Sequence, residues 1–343
     1  MRSVERRVDV TEAAGMGEPL TTAVTLTLPD PGALGAPPVV CFAFPGGGYS
    51  RQYFTFDPPG FPALGGQAGW HAERGWVFVS CDHVFVGESD APAQPGLLTL
   101  ENVAAANAAT VEAIWSELVA GTIADDFPAL AGAVRLGIGQ SMGACLTIVQ
   151  QGQHATYDGI GVLGYSAHHT VLAMPPGTPR APAAYVPRGS PSVLVMSAPP
   201  TGDNPDFVTR PDGLPISAWG FHYDDEDEEI VRADMVDYPA RGGHPPVWAS
   251  ATMPPCAVTM MSPGVVAPEA AVITVPVLVA VGERDVCPRP MSEPTAYERA
   301  TDVSVFVCPG MSHMHNFART REQFWSRIAT WGDGVARRVS PTL

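Results

Sequence analysis

Short runs of apolar residues, each followed by glycine, proline or polar turn residues, recur along this chain. Continuous apolar runs are typical of strands that are buried on both faces, as in a parallel sheet. Residues 22–28 instead alternate between polar and apolar residues, which predicts an antiparallel edge hairpin leading into a larger sheet. The predicted buried strands cover residues 38–44, 75–82, 134–138, 159–166, 277–281 and 303–308.

Helical periodicity lies between several of these runs. Residues 102–119 form an Ala-rich amphipathic pattern, and a segment without proline continues from residue 142 to about residue 151. Residues 321–332 predict a closing helix, and residues 291–299 predict another that starts late because of Pro294. Strands that alternate with helices at this spacing predict an α/β fold with a doubly wound, mostly parallel sheet.

The regular pattern fails between residues 170 and 269. Residues 174–215 hold 11 of the chain's 36 prolines, so we expect mostly extended loop there. We interpret residues 170–269 as a cap inserted into a core formed by residues 1–169 and 270–343. The cap has an aromatic and Met-rich character, carried by Trp219, Phe221, Tyr223, Tyr238, Trp248, Met253, Met260 and Met261.

Two local patterns stand out within the cap. The apolar run 193–196 predicts an isolated strand. The acidic run 224–229 precedes an apolar-periodic stretch, residues 230–236, and together they predict one short helix. Negative charge at its N-terminal end is favoured by the helix dipole, so we interpret the acidic run as a solvated helix start and not as a metal site.

Composition excludes several classes of function. The formal net charge of −16 argues against binding to nucleic acid or to an anionic membrane surface. All 19 basic residues are arginine, which excludes Schiff-base and pyridoxal chemistry on a lysine of this chain. No apolar run approaches the roughly 20 residues that a membrane span needs, and the charged start is followed by no apolar segment typical of a secretory signal. We therefore expect a cytoplasmic protein, and the sequence is compatible with a homo-oligomer.

The cysteines and most histidines suggest no metal or disulfide chemistry. Cys41, Cys81, Cys145 and Cys308 fall in predicted strands or in the helix after residue 141, with no Cys-x-x-Cys spacing, so we interpret them as reduced core residues. The remaining histidines, which are His71, His83, His154, His222 and His244, have no companion at metal-ligand spacing. The sequence predicts neither a metal site nor a cofactor.

The segment Gly139-Gln140-Ser141-Met142-Gly143 joins a predicted strand to a predicted helix. Glycines two residues before and two residues after Ser141 remove side chains that would clash in so sharp a turn. The serine is then held above the strand end, where the first N–H groups of the new helix can bind a developing negative charge. A serine hydroxyl is a weak nucleophile, so catalysis requires a base and an acid that orients it.

Two polar candidates follow later strands. Asp285 follows the strand over residues 277–281, and His313 follows the last strand, so both lie with Ser141 at the carboxyl edge of the sheet, where ligands bind in such folds. Glu283 is an alternative acid and His315 an alternative base. The triple glycine in Pro45-Gly46-Gly47-Gly48-Tyr49 lets the backbone approach a ligand, although such a run also occurs in flexible loops. No Gly-Lys-Ser/Thr follows it, so it is not a nucleotide phosphate loop.

The order of serine, acid and histidine, with an elbow and an earlier glycine-rich loop, resembles the α/β-hydrolase superfamily of esterases and lipases. The resemblance covers about residues 20–169 and 270–335 but not the cap. It implies that Ser141 is the nucleophile, His313 the general base and then acid, and Asp285 the group that fixes the imidazole tautomer.

The resemblance also implies an oxyanion hole. Its donors would be the N–H of Met142 and that of one glycine in the loop, of which Gly47 is preferred. Many members carry histidine where this chain has Pro45, so the second donor stays open. Gly46, Gly48, Tyr49 and His168 are expected to line the pocket.

We therefore expect a serine hydrolase that cleaves a neutral, largely apolar ester or lactone. A thioesterase, an acyltransferase and a carbon–carbon bond hydrolase use the same residues and stay open. An alternative of another class is a non-catalytic protein that binds a ligand on the same scaffold.

Overall fold

The computed structural model describes residues 1–178, 185–190, 209–238 and 241–339. Its centre is one eight-stranded sheet. The strands are β1 Arg2–Asp9, β2 Thr21–Leu28, β3 Val39–Phe44, β4 Trp76–Cys81, β5 Val134–Gln140, β6 Gly159–Leu163, β7 Val277–Arg284 and β8 Val303–Ser312. They are ordered β1-β2-β4-β3-β5-β6-β7-β8 across the sheet. β1 and β2 pair antiparallel, as do β2 and β4, and every later pair is parallel.

Helices cover both faces of the sheet because the central strands are apolar on both sides. Val40 and Phe42 of β3 belong to the core cluster that includes the helices before and after the elbow. Val39 and Cys41 belong to the cluster on the opposite face, with the closing helix. The α-helices are α1 Thr11–Ala14, α2 Gly66–Ala72, α3 Leu100–Ala120, α4 Met142–His154, α5 Ala218–Phe221, α6 Glu228–Met235, α7 Ala267–Val272 and α8 Arg321–Val339.

This arrangement confirms the predicted doubly wound, mostly parallel α/β sheet. The predicted buried strands and the helix over residues 102–119 are present with boundaries shifted by a few residues, and β7 begins directly after Pro276, which cannot donate to a ladder. All six cysteines are buried and unpaired, as expected of core residues. None of the helices in the described ranges combines the length and apolar character needed to cross a bilayer.

Three sequence-based boundaries are wrong. The first 37 residues hold two strands and not one, because β1 is a polar edge strand that pairs with β2 along its whole length. Residues 291–299 do not form an α-helix. Pro290–Ala296 is a 3₁₀ helix, since Pro294 lacks the N–H of an α-helical hydrogen bond. The closing helix continues past Gly332 to Val339.

The chain between β6 and β7, residues 164–276, is called the β6–β7 segment below. Its short acidic helix is confirmed as α6, where the Asp227 carboxylate caps the helix by accepting from the N–H groups of Glu229 and Ile230. A 3₁₀ helix, Pro255–Met261, lies between α6 and α7. The strand predicted over residues 193–196 lies outside the described residues.

Candidate active site

Ser141 occupies the turn between β5 and α4. Its backbone has φ 53° and ψ −114°, a conformation that costs a non-glycine residue about 1–3 kcal/mol. The N–H of Ser141 donates to the Leu163 carbonyl at 2.8 Å, and its own carbonyl accepts from the N–H groups of Ala144 and Cys145. These backbone hydrogen bonds hold the strained turn, while the serine itself stays 8% exposed.

The two elbow glycines are required by close backbone contacts. A Cβ atom on Gly139 would lie 2.2 Å from the carbonyl of Gly143. A Cβ atom on Gly143 would lie 2.2 Å from the carbonyl oxygen of Phe44, at the end of β3. Both glycines therefore let α4 start directly against the sheet, which brings the N–H of Met142 beside the loop that follows β3.

Asp285 lies directly after β7 and is held by four hydrogen bonds. The backbone N–H of Gly282 donates to Oδ2 at 2.8 Å, and that of Val286 donates to Oδ1 at 2.7 Å. His313 Nδ1 lies 2.7 Å from Oδ1, and His315 Nε2 lies 2.8 Å from Oδ2. Burial works to raise the pKa of Asp285, but its interactions with His313 and His315 outweigh burial and hold the pKa well below the usual carboxyl range. The carboxylate is therefore ionised.

His313 presents its second ring nitrogen toward the elbow. In the neutral ring whose Nδ1–H donates to Asp285, the lone pair lies on Nε2, the atom that can accept a proton. The side-chain amide of Gln140, the residue before Ser141, donates to the His313 carbonyl at 3.1 Å, and its nitrogen lies 3.4 Å from Nε2. Within the described part of the chain, no hydrogen bond joins the Ser141 hydroxyl to His313. Such contacts often tighten only when substrate binds.

His315 and Glu283, the two alternatives from the sequence, have different surroundings. Burial lowers the pKa of His315, so the ring is neutral and its Nε2–H donates to Asp285. Its other nitrogen, Nδ1, is buried and has no partner among the described residues. Glu283 accepts from the N–H of Gly310 at 2.9 Å. The structure thus pairs Asp285, and not Glu283, with both histidines.

The same three residues form a compact group of metal-ligand type. The ligand atoms of Asp285, His313 and His315 all lie within 4.8 Å of one another. Each histidine already makes a short hydrogen bond to one carboxylate oxygen of Asp285. These two hydrogen bonds bring the three side chains together.

The glycine-rich loop after β3 lies beside the elbow. A Cβ atom on Gly46 would be 3.2 Å from the Ser141 Cβ, and one on Gly47 would be 3.9 Å from the Met142 Cβ. In the part of the chain that the structure describes, the N–H groups of Gly46, Gly47 and Met142 donate to no backbone carbonyl.

Two residues expected to line the pocket make contacts elsewhere. The Tyr49 side chain is 2% exposed, and its hydroxyl donates to the buried Asp234 of α6. The His168 ring lies 3.1 Å from the Ser292 carbonyl oxygen and 3.0 Å from the Thr295 hydroxyl.

Sequence reasoning missed two histidines that contact the site's surroundings. The His83 Nε2–H donates to the carbonyl of Pro45, at the start of the glycine-rich loop. His222 hydrogen-bonds Asp234, and Phe317 stacks on its ring. His83 has no local sequence pattern that marks it, because its partner Pro45 lies 38 positions away along the chain.

Solved structures share the overall fold of this chain. A thermophilic esterase from Thermogutta terrifontis, solved with malate bound, aligns at a TM-score of 0.59 with 15% identity, over 96% of this chain and 99% of the other. Proline iminopeptidase from Mycobacterium smegmatis aligns at 0.60 with 17% identity, over 98% and 100%. A bromoperoxidase from Bacillus anthracis aligns at 0.56 with 13% identity, over 96% and 100%.

The chain has the α/β-hydrolase fold. No protein-family model matches the sequence, and no curated protein matches it either. At identities of 13–17%, the likeness to these structures establishes the α/β-hydrolase fold alone. The chemistry must be argued from the site.

Proposed function

We propose that this protein is a serine hydrolase that cleaves a neutral, largely apolar carboxylic ester or lactone through an acyl-enzyme on Ser141. The observation that carries the proposal is the 2.7 Å contact between His313 Nδ1 and the buried, ionised Asp285, at the sheet edge where Ser141 sits on a strained turn. This pairing directs His313 Nε2 away from Asp285, where it can act as the base.

The proposed reaction has two halves. The Ser141 oxygen attacks the substrate carbonyl carbon while His313 Nε2 takes the hydroxyl proton, and the tetrahedral intermediate then expels the alcohol, which receives that proton. In the second half, a water gives its proton to His313 and attacks the acyl-enzyme. The carboxylate of Asp285 stabilises the imidazolium in both halves. The second tetrahedral intermediate then expels the Ser141 oxygen, which takes the proton back from His313, and the acid product leaves.

The negative charge on the carbonyl oxygen would be bound by backbone N–H groups. The candidates are Met142, at the start of α4, and Gly47, whose loop lies against the elbow. Preorganised donors of this kind contribute about 2.7–4 kcal/mol each in systems where they have been removed. The expected substrate is therefore one whose reaction develops an oxyanion.

Surrounding side chains favour an apolar, uncharged substrate. The Phe221 ring lies 5.2 Å from the His313 ring, and the Met253 sulfur lies next to Gly47. Arg241 is engaged by Asp234, and Arg284 by Asp224, so neither guanidinium is offered to a phosphate. The net charge of −16 also repels anionic substrates. We further propose that residues 170–269 act as the cap that selects the substrate.

A substrate panel tests the assignment. The rate constant kcat/KM would be measured for neutral p-nitrophenyl esters, lactones, acyl-coenzyme A thioesters and a diketone, each with the wild type and with Ser141→Ala. We expect serine-dependent turnover that is fastest with the neutral esters or lactones. A clear preference for coenzyme A thioesters would move the protein to the thioesterase or acyltransferase class. Turnover of the diketone alone would move it to carbon–carbon hydrolysis.

A further inference from the structure

Each of the four carbonyls of Pro45–Gly48, in the glycine-rich loop, accepts a hydrogen bond. Pro45 accepts from His83 Nε2 at 3.1 Å, and Gly46 accepts from the N–H of Tyr49 at 3.2 Å. The remaining two are held by the β6–β7 segment. Gly47 accepts from the Tyr238 hydroxyl at 2.9 Å, and Gly48 accepts from Arg241 Nη1 at 2.8 Å and from the N–H of Ser250 at 3.0 Å.

These carbonyl contacts set the direction of the loop N–H groups. In a planar trans peptide, the N–H points away from the carbonyl of the preceding residue. Anchoring the Gly47 carbonyl therefore fixes the N–H of Gly48, and anchoring the Pro45 carbonyl fixes the N–H of Gly46. The Gly47 N–H shares a peptide with the Gly46 carbonyl, which accepts from the N–H of Tyr49, and this peptide lies between the other two.

Of the three donors from the β6–β7 segment, Arg241 is itself held by a buried cluster around Asp234. This carboxylate is fully buried and accepts one hydrogen bond from each of four side chains. They are Tyr49 at 2.7 Å, His222 at 2.9 Å, Arg241 at 3.0 Å and Trp248 at 3.1 Å. A buried carboxylate with this many donors is an ordered structural centre, because leaving it unpaired would be strongly unfavourable.

Packing also restricts the Arg241 guanidinium. It lies 4.9 Å from the ring centre of Tyr49 and 4.8 Å from that of Tyr238. One guanidinium thus contacts the Asp234 carboxylate, the Gly48 carbonyl and two rings at once. Because the planar guanidinium is packed against two rings and hydrogen-bonded to a carboxylate, it has little freedom to move.

We propose that Tyr238 and Arg241 are positioning residues that fix the oxyanion loop, so that the β6–β7 segment forms part of the transition-state binding site. Arg241 is held by Asp234, and Tyr238 packs against the Arg241 guanidinium. This inference rests on the proposed serine hydrolysis. None of these side chains needs to touch the substrate. Their effect passes through the orientation of the Gly46–Gly48 peptides.

The conservative change Tyr238→Phe tests the proposal, because it removes only the hydroxyl that holds the Gly47 carbonyl. We expect kcat for p-nitrophenyl butyrate to fall about 10-fold with KM unchanged, since the oxyanion exists only in the transition state. Inhibition by phenylboronic acid, whose serine adduct is a tetrahedral anion, should weaken by the same factor. Thermal unfolding of both proteins would be measured alongside.

Tyr185→Phe is the matched control. Tyr185 also lies in the β6–β7 segment, but its hydroxyl contacts His169 and not the loop. The control should keep both kcat and the boronic acid affinity. A second variant, Asp234→Asn, should lower kcat further than Tyr238→Phe because it releases Tyr49 and Arg241 together. If Asp234→Asn does not fold, the kinetics of Tyr238→Phe alone still test the positioning role.

Two results separate this inference from the proposed function. If the wild type hydrolyses the ester through Ser141 but Tyr238→Phe matches it in kcat and in boronic acid affinity, the positioning role is wrong and the serine hydrolase stands. If the wild type shows no hydrolysis that depends on Ser141, both proposals are overturned. Equal losses in Tyr238→Phe and Tyr185→Phe would also contradict the positioning role.

Discussion

At the scale of single residues, the site is organised around one carboxylate with two histidines. Asp285 accepts a hydrogen bond from each, but they differ in the ring nitrogen that they use. His313 donates through Nδ1 and leaves Nε2 for chemistry, whereas His315 donates through Nε2 and has its remaining nitrogen buried. This difference, and not spacing along the chain, favours His313 as the base.

The two histidines should therefore differ greatly on substitution. We expect His313→Ala to lower kcat for a p-nitrophenyl ester by about 10⁴-fold, since residues that act as a unit fail together. His315→Ala should cost about 10-fold, because it removes one of the four hydrogen bonds that hold Asp285. Steady-state kinetics of both variants would measure the difference.

The acid offers a matched comparison for the same experiment. Asp285→Asn should lower kcat far more than Glu283→Gln, because Asp285 is hydrogen-bonded to His313 whereas the Glu283 carboxylate accepts from the N–H of Gly310. A reversed order within either pair would place the catalytic residues two positions away from those assigned here.

At the scale of elements, helices α5 and α6 join the β6–β7 segment to the core through polar contacts. The carbonyls of Gly220 and Phe221 accept from the N–H groups of His313 and Met314 at 2.9 and 2.8 Å. On the other side, α6 supplies Asp234 to the glycine-rich loop. The segment therefore contacts both the loop that carries His313 and the loop proposed to bind the oxyanion.

His222, which lies directly after α5, is buried and positively charged. Burial works to lower the pKa of His222, but the charges of Glu226 and Asp234, with a hydrogen bond to each, outweigh burial and raise the pKa to about 9. The imidazolium and Arg241 together balance these two carboxylates. Loss of the His222 proton would leave one negative charge uncompensated in the interior.

We expect this histidine to make stability fall at alkaline pH. Because its pKa is higher in the folded state than the ordinary 6.5, its contribution is complete below pH 6.5 and is lost as pH rises toward 9. The loss is on the order of 3 kcal/mol in the free energy of unfolding. Urea unfolding of the wild type at several pH values between 6 and 9 would measure it.

His222→Gln provides the control for the pH series. The variant should be less stable at pH 6 but should show a much flatter dependence up to pH 9. His71 and His83 do not interfere with this measurement, because burial lowers the pKa of each to about 4. They change the free energy of unfolding only at pH values below 6.5. An equal slope in the wild type and in the variant would show that His222 is not charged in the folded protein.

At the scale of the whole molecule, the core was predictable from the sequence because its signals are local. Unbroken apolar runs gave the parallel strands, and the turn chemistry around Ser141 gave the elbow. The edge strand β1 was not predicted, because Val4 and Val8 are its only large apolar residues and most of the others are charged. Gly332 was predicted to end the closing helix, but it lies within α8. A glycine is needed there because a Cβ atom would clash with Trp76.

The surroundings of the site were less predictable, since they depend on contacts between distant residues. Ser141, Asp285 and His313 each follow a strand end, so topology alone gathers them. Nothing local marks Asp234, whose hydrogen bond to Tyr49 joins residues 185 positions apart. Residues that hold the loop from behind are visible only once the chain is folded.

Covalent labelling tests the central claim most directly. The wild type would be treated with a fluorophosphonate, and the modified peptide would be identified by mass spectrometry, with Ser141→Ala as the control. We predict one adduct, on Ser141, that requires His313 and is absent from Ser141→Ala. Failure of the folded wild type to react, or equal labelling of Ser141→Ala, would contradict the account and favour a protein that binds its ligand without cleaving it.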